Sequence, residues 1–238
     1  MKFLDSPERI RRRKHPAPAL GERELRTAWQ CVSLLLEYPT QELIELLPAI
    51  RSAAADLPGG VREPLLRFAA HLAGSDLGEL QREYVATFDT TRRCALHLTY
   101  YTFGDTRKRG IALVQFKQAF RRGGLEVNDE ELPDHLSVVC EFGATGDVDI
   151  AWKLLNDYRV GIELLYLALE DRKSAWVDAV TTLRATLPEL DGTTIEAVER
   201  LLAEGPPNED VGLDTFALDP RLNPHPDDDV AALQGALS

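Results

Sequence analysis

The chain has 238 residues, enough for one domain that removes roughly 70 to 75% of its unfolded surface from water without disulfides or metals. Its 39 acidic and 27 basic residues give a formal net charge of −12, which argues against a nucleic-acid-binding protein because phosphate binding needs a cationic face. The three cysteines form no C-x-x-C pair, so neither a disulfide framework nor a thiolate zinc site is indicated, and the cytoplasm is the predicted compartment.

The first 21 residues carry a basic run, Arg11 to Lys14, followed by prolines and charges instead of the apolar region of an export signal. No apolar run in the chain approaches the roughly 20 residues that span a bilayer. We predict that residues 1–21 form a mobile basic arm, and that the protein is neither exported nor stably inserted in a membrane.

The next two segments have apolar residues at helical spacing, which predicts two amphipathic helices with the stripes Leu25, Trp29, Val32, Leu36 and Leu43, Leu46, Leu47, Ile50. Pro39 is placed to end the first helix and Thr40 to cap the second. Pro58, Gly59 and Gly60 then separate the second helix from a third.

Capping-box spacing marks two further helix starts. Asp76 is followed at three residues by Glu79, and Thr193 by Glu196. In this pattern the two side chains satisfy free backbone N–H groups of the first helical turn. We therefore predict that Asp76 and Thr193 cap helices.

The longest periodic run extends from Asp147 to about Glu170 and is apolar over most of its circumference, which predicts one continuous helix at the centre of a bundle. Only residues 97–103 resemble a strand, and a single strand has nothing to pair with. No internal repeat is evident. The predicted fold class is all-α, a single irregular helical bundle over residues 22–204.

Residues 205–238 are rich in proline and aspartate and lack helical periodicity until their last few positions. Such composition cannot bury enough apolar surface to order the backbone. We predict a largely disordered acidic tail.

Three segments carry a resemblance to a known family: YVATFD (residues 84–89), LHLTYYTFGDTRKRG (96–110) and ELPDHLSVVCEF (131–142). Over about residues 22 to 202 the chain resembles the NarJ family of nitrate reductase assembly chaperones. The resemblance implies the helical fold of the redox-enzyme maturation chaperones, which serve twin-arginine-exported enzymes. It also implies a cytoplasmic protein without enzymatic activity that binds the N-terminal amphipathic segment of the apo nitrate reductase catalytic (alpha) subunit. Molybdenum cofactor is inserted into that client, and the resemblance does not imply that the chaperone itself holds a cofactor.

Tyr84 and Phe88 lie four residues apart and therefore on one face of a helix. Core packing is the favoured interpretation, because each buried ring contributes on the order of 1.5 to 3 kcal/mol. In the alternative interpretation, this face forms one wall of a peptide groove. The two interpretations are compatible if the inner edge of the rings packs in the core and their outer edge stays partly open.

Arg107 and Arg109 follow Gly104-Asp105 near a helix start, where the helix dipole disfavours positive charge. We expect them to have carboxylate partners, with Asp89 and Glu141 as candidates, in pairs that join the two halves of the bundle. Direct contact with a ligand is the alternative.

Gly110 lies in an otherwise helical segment. An interior glycine destabilises a helix, so it suggests that another part of the backbone approaches closely there.

Pro133 and Asp134 suit the first turn of a helix, after a helix end at Gly123-Gly124. By resemblance to the redox-enzyme chaperones, the Pro-Asp-His segment with Leu136 lies at the surface that binds the client leader peptide.

Metal binding or acid–base catalysis is an alternative role for four titratable residues, His97, His135, Asp134 and Glu141. The two histidines, however, lack the one-turn spacing of a metal-binding helix. Structural hydrogen bonding is the favoured interpretation. No phosphate-binding or nucleophile motif occurs either.

The predicted function is therefore client-peptide binding, through the candidate residues Tyr84, Phe88, Asp89, His97, Tyr101, Asp105, Arg107, Arg109, Pro133, Asp134, His135, Leu136 and Glu141. The alternatives are a metal-dependent helical hydrolase and a general scaffold unrelated to redox enzymes. The oligomeric state is left open, because an apolar groove can also bind a second copy in a homodimer.

Overall fold

The computed structural model describes residues 15–126 and 131–204, which belong to one compact unit. The first 14 residues of the predicted arm and the predicted tail, residues 205–238, lie outside the described residues. The boundaries that the sequence suggests for the arm and the tail therefore stay predictions.

The described part contains eleven α-helices: α1 (Glu22–Leu35), α2 (Gln41–Ala54), α3 (Gly59–Gly74), α4 (Leu77–Tyr84), α5 (Leu98–Phe103), α6 (Arg107–Arg122), α7 (Leu136–Thr145), α8 (Val148–Asp157), α9 (Arg159–Asp171), α10 (Val177–Thr186) and α11 (Gly192–Glu204). A π-helical turn, Val85–Asp89, directly continues α4, and a 3-10 turn, Arg92–Cys94, follows. No β-strand occurs in these residues; the strand-like segment 97–103 is mostly α5. The all-α prediction is confirmed.

The predicted caps of the early helices are present. Thr40 Oγ1 accepts a hydrogen bond from the Leu43 N–H at 3.2 Å, and the Asp76 carboxylate accepts one from the Glu79 N–H at 3.1 Å. The predicted cap at Thr193 is wrong, because Asp191 accepts the hydrogen bond of the Thr194 N–H at 2.7 Å and α11 begins at Gly192. Asp191 therefore occupies the N-cap position, three residues before the backbone N–H from which it accepts.

The predicted stripes form the core of the first two helices, with one difference. Leu25, Trp29 and Val32 are fully buried in α1. In α2 the predicted stripe is wrong at Leu46, which is 45% exposed.

The predicted long central helix is two helices, because the chain turns at Tyr158, where φ is −105° and ψ is 21°. After the turn, α9 packs against α5 so closely that a Cβ atom at Gly161 would lie 3.1 Å from the Tyr101 ring. The periodicity of apolar residues in the sequence continues through this turn because both helices bury an apolar face, so it does not reveal the break.

The centre of the bundle is α1, which packs against α7, α10, α2 and α3. The Trp29 indole N–H donates to Thr186 Oγ1 at 3.0 Å. Gly143 of α7 lies directly against the Trp29 ring, and a Cβ atom there would also come within 2.8 Å of Ala151. Glycine is therefore required for this close approach of α7 to α1 and α8.

A buried ion cluster connects α9 to α10. The Glu163 carboxylate lies 2.8 Å from Arg159 Nε and 2.8 Å from Arg184 Nη2. Burial lowers the pKa of Arg159, which Glu163 opposes. The Arg184 guanidinium lies 3.7 Å from the centre of the Tyr166 ring, so packing and charge act together at this junction.

Residues 15–21, the described end of the predicted arm, run along α8. His15 Nε2 lies 2.7 Å from the Asp157 carboxylate, and the Pro16 carbonyl accepts a hydrogen bond from the Trp152 indole at 3.1 Å. Among the helices that the structure describes, none has the length and apolar character needed to cross a bilayer.

Candidate functional site

Tyr84 and Phe88 belong to an aromatic cluster around Trp176 of α10. Their ring centres are 4.7 Å apart, and each lies 5.8 Å from the Trp176 ring, which also meets Phe68 at 5.5 Å. All four side chains are buried, and the Tyr84 hydroxyl donates to the Leu36 carbonyl at 3.1 Å. Burial raises the pKa of Tyr84, and the charges of Glu37 and Asp89 raise it further. The rings thus occupy the packed position that the sequence favours.

The π-helical turn decides which side chains of this segment face outward. The Thr90 N–H bonds to the Val85 carbonyl at 3.1 Å, five residues back, so one more residue fits into the turn than in an α-helix. Thr87 and Phe88 point inward, while Val85 is 38% exposed. π-Helical turns of this kind are frequent at functional sites.

An open cavity of about 500 Å³ lies outside the turn and is called the Tyr38 cleft; it is lined by Tyr38, Gly78, Gln81, Arg82, Val85, Ala86 and Thr90. The Tyr38 ring meets Tyr84 edge-on at 5.4 Å and is 42% exposed. The cleft therefore borders the aromatic cluster and presents an aromatic and an aliphatic side chain to solvent. Sequence reasoning missed Val85 because its exposure depends on the π-helical turn, and Tyr38 because it lies in the loop between α1 and α2, where no helical periodicity applies.

A second set of predicted residues meets at Asp134, which is fully buried. Its carboxylate accepts hydrogen bonds from the Thr99 N–H at 3.2 Å, from the Thr99 hydroxyl, and from His97 Nδ1 at 3.2 Å. The Arg109 guanidinium lies 3.9 Å away. These four residues are called the Asp134 network.

The charge of Asp134 depends on these partners. Burial alone would raise its pKa, but the hydrogen bonds from His97 and Thr99 and the positive charges of His97 and Arg109 outweigh burial and lower it. The carboxylate is therefore ionised and fully engaged near neutral pH.

Backbone hydrogen bonds fix the same place. The Leu98 N–H donates to the Asp134 carbonyl at 3.0 Å, and the Leu136 N–H donates to the Leu96 carbonyl at 2.8 Å, around an isolated antiparallel bridge between His97 and His135. The start of α5 and the start of α7 are thereby held together.

The expected carboxylate partners of Arg109 are wrong. Arg109 contacts Asp105 at 3.2 Å and Asp134, whereas Asp89 and Glu141 are exposed. The prediction failed because the partner is set by the packing of α5 and α6 on the residues before α7. Arg107 is exposed at the first position of α6.

The expectation for Gly110 is also wrong. No atom of residues 15–126 and 131–204 lies within 4 Å of the position that its Cβ would take, and the residue is exposed. Its missing side chain is not explained by packing inside the described part of the protein.

His135 lies next to the network without joining it. Its Nδ1 is 2.6 Å from the Ser137 hydroxyl, and its ring centre is 5.2 Å from that of His97. Burial lowers the pKa of His135 to about 4, with a further lowering by the charge of His97 and an opposing effect of Asp134. His135 is therefore neutral near pH 7.

The remaining candidates are mostly internal. Pro133 and Leu136 are buried, and the Tyr101 hydroxyl shares its proton between the carbonyls of Arg93 and Ala95, both 2.9 Å away. The structure thus brings together the residues around Asp134 and, separately, the rings around Trp176. Thr99, Ser137 and Trp176 were missed by sequence reasoning, since an interior hydroxyl or indole carries no distinctive spacing.

Comparison with known proteins identifies the family. The model of the family described as nitrate reductase delta subunit matches residues 54–182, more than half of the chain. The chain belongs to the nitrate reductase delta subunit family. The resemblance to nitrate reductase assembly chaperones is thereby confirmed.

Relatives within this family differ in length. The chain is 38% identical over 162 residues to the nitrate reductase-like protein NarX of Mycobacterium tuberculosis H37Rv, covering 66% of this chain and 24% of that protein. The chain thus spans about a quarter of the length of NarX. The nitrate reductase molybdenum cofactor assembly chaperone NarJ of Escherichia coli K12 is 34% identical over 149 residues, 61% of this chain and 63% of that protein. A probable chaperone of the same name in Bacillus subtilis 168 is 29% identical over 163 residues, 68% of this chain and 89% of that protein.

A solved structure supports the fold. A protein from Archaeoglobus fulgidus, described as a redox enzyme maturation protein, superimposes with a TM-score of 0.51 at 22% identity, covering 75% of this chain and 98% of that one. At this identity the match shows the helical fold alone.

Proposed function

We propose that this protein is a cytoplasmic assembly chaperone, not an enzyme, that binds the N-terminal amphipathic segment of an apo nitrate reductase catalytic subunit. It holds that subunit while molybdenum cofactor is inserted. The observation that carries the proposal is the open Tyr38 cleft beside a packed aromatic cluster, in a chain whose relatives include proteins named as nitrate reductase molybdenum cofactor assembly chaperones.

The cleft has the chemistry that an amphipathic basic segment needs. Tyr38 and Val85 offer exposed apolar surface for anchors at i, i+3 and i+4 of a client helix. Glu37 and Asp89 lie close enough to Tyr84 to raise its pKa, so two negative charges border the apolar surface, while the lining itself carries the base Arg82. A client helix with basic residues beside its apolar face could contact the apolar surface and the bordering carboxylates at the same time.

The Asp134 network supports the proposal indirectly. Its buried carboxylate and the paired backbone fix the starts of α5 and α7. The role of Pro133, Asp134 and Leu136 is thus to hold the starts of these two helices in position. Four members of the predicted set are exposed: Asp89, Asp105, Arg107 and Glu141.

Peptide titration tests the proposal. A labelled peptide copied from the first fifteen or so residues of a nitrate reductase catalytic subunit is titrated by fluorescence anisotropy at low salt. We expect a Kd of tens of micromolar or tighter, about −6 kcal/mol or more of binding free energy. Absence of binding at that level would overturn the proposal.

A pair of variants locates the peptide. Val85→Arg places positive charge in the cleft and is expected to weaken binding of the basic peptide at least tenfold. Ile195→Arg is the matched control, because Ile195 is 44% exposed on α11, and its binding should equal that of the unsubstituted protein. Equal binding by both variants would place the peptide elsewhere.

A further inference from the structure

Helix α6 differs in charge from the rest of the chain. Its 16 residues include six bases and no acid, in a protein with 39 acidic and 27 basic residues: Arg107, Lys108, Arg109, Lys117, Arg121 and Arg122. Lys108, Arg121 and Arg122 have no ion pair within residues 15–126 and 131–204. The helix thus presents positive charge at both of its ends.

The outward side of α6 also carries apolar surface. Ile111 is 64% exposed and Val114 is 53% exposed, and they lie one turn apart. The opposite side packs into the bundle through Phe116 and Phe120, which are fully buried. Both aliphatic side chains therefore lie on the solvent-exposed side of a helix whose opposite side is packed in the bundle.

Gly110 lies on the same free side, four residues before Val114. An interior glycine destabilises a helix relative to alanine, and a Cβ atom here would meet no atom of the described residues within 4 Å. Because no neighbour in the described part of the chain requires the glycine, the bare backbone is available to something outside it. Small residues of this kind allow the backbones of two helices to approach closely.

We propose that the α6 face, defined by Gly110, Ile111, Val114, Lys108, Arg121 and Arg122, binds an acidic amphipathic helix of a partner protein. Apolar side chains of that helix would pack on Ile111 and Val114, with its backbone against Gly110. Its carboxylates would pair with the bases at the two ends of α6. The charge preference is opposite to that of the Tyr38 cleft, and the proposal does not depend on peptide binding there.

Two other occupants fit less well. A second copy that offers the same face would place bases against bases, which is unfavourable. An anionic bilayer would attract the bases and accept the aliphatic side chains, but the absence of a side chain at Gly110 would not increase the affinity for lipid. Gly110 therefore favours a helix.

The test uses the full chain and a synthetic, fluorescein-labelled helix of 18 residues with a leucine and alanine stripe flanked by glutamates. A second helix carries lysines in place of the glutamates. We expect the acidic helix to bind at least tenfold more tightly than the basic one, and its binding to weaken as salt is raised.

Gly110→Leu is the decisive variant, because leucine favours the helix and fills the proposed contact. It should bind the acidic helix at least fivefold more weakly while its thermal midpoint is unchanged or raised. Gly60→Leu is the matched control, since Gly60 of α3 also has open space at its Cβ position. The control should bind as the unsubstituted protein does.

Four outcomes would overturn the proposal. They are no binding of the acidic helix at 200 micromolar, equal binding of both helices, unchanged binding by Gly110→Leu, and a dimer in sedimentation that Gly110→Leu abolishes. Binding to phosphatidylglycerol vesicles by the unsubstituted protein and by Gly110→Leu alike, without binding of the acidic helix, would assign the face to lipid instead. Val85→Arg should leave binding of the acidic helix unchanged, which separates this result from failure of the client-peptide proposal.

Discussion

The aromatic cluster around Trp176 and the Asp134 network are stabilised in different ways. The cluster consists of four rings held by apolar burial, and its energy is spread over many contacts. The network depends on one buried carboxylate, whose removal would leave His97, Thr99 and Arg109 without their shared partner. The cluster should therefore lose stability in proportion to the volume removed, whereas the network should respond to charge and pH.

Truncation of the central ring should have the largest effect. Trp176→Ala removes the side chain that contacts Phe68, Tyr84 and Phe88 and is expected to lower the free energy of unfolding by about 4 kcal/mol, measured by urea denaturation followed by circular dichroism. Ile195→Ala at an exposed position is the control and should change it by less than about 0.5 kcal/mol. A loss below about 1.5 kcal/mol for Trp176→Ala would show that the rings are loosely packed.

Removal of the buried carboxylate should come next. Asp134→Ala is expected to destabilise the protein by about 3 kcal/mol in the same assay, because Arg109 and His97 lose their charge partner in a buried place. Asp105→Ala removes the exposed partner of Arg109 and should cost at most about 1 kcal/mol. Similar losses for the two variants would contradict the central position of Asp134.

The pH dependence should separate the two regions further. The pKa of His135 is about 4 in the folded protein, below its ordinary value near 6.5, so the unfolded chain binds its proton first on acidification. Stability should fall between pH 6.5 and 5 by about 2 kcal/mol through this group, at roughly 1.4 kcal/mol per pH unit. The contribution of Asp134, whose pKa is lowered below 3.8, is retained in that interval and lost only at lower pH.

Urea denaturation at a series of pH values measures this effect. His135→Gln should flatten the dependence between pH 6.5 and 5, and Ile195→Ala, at an exposed uncharged position, should leave it unchanged. An unaltered slope in His135→Gln would assign the effect to another group.

The smallest effect concerns a polar contact of the aromatic cluster, the hydrogen bond of the Tyr84 hydroxyl. Tyr84→Phe removes the hydrogen bond to the Leu36 carbonyl and keeps the ring, so a loss of about 1 kcal/mol is expected. Tyr38→Phe, at the exposed ring beside it, should be neutral within measurement error. If Tyr84→Phe were also neutral, the cluster would be stabilised by apolar packing alone.

The fold was predictable where local pattern decides it. The buried stripe of α1 and the caps at Thr40 and Asp76 depend on residues within a few positions of one another, and the sequence indicated them correctly. The turn at Tyr158 was missed because apolar periodicity continues across it, and it depends on how α9 packs against α5.

The candidate site was predictable in part for the same reason. The family segments pointed to His97, Arg109 and Asp134, and the structure brings these three together. Their mutual arrangement was not predictable, because Arg109 and Asp134 are 25 positions apart and meet only through tertiary packing. The Tyr38 cleft was not predictable, since it forms where the loop that holds Tyr38 meets α4 and the π-helical turn.

The paired backbone at His97 and His135 has a consequence for how the chain tolerates change. Two hydrogen bonds fasten residues 96–98 to residues 134–136, so the stretch that carries α6 forms a closed ring of backbone. The entropy of closing such a ring grows only logarithmically with its length, by about 0.6 kcal/mol for each doubling. Insertions between α6 and α7 should therefore be inexpensive, and this is the natural place to graft a foreign loop or a spectroscopic tag.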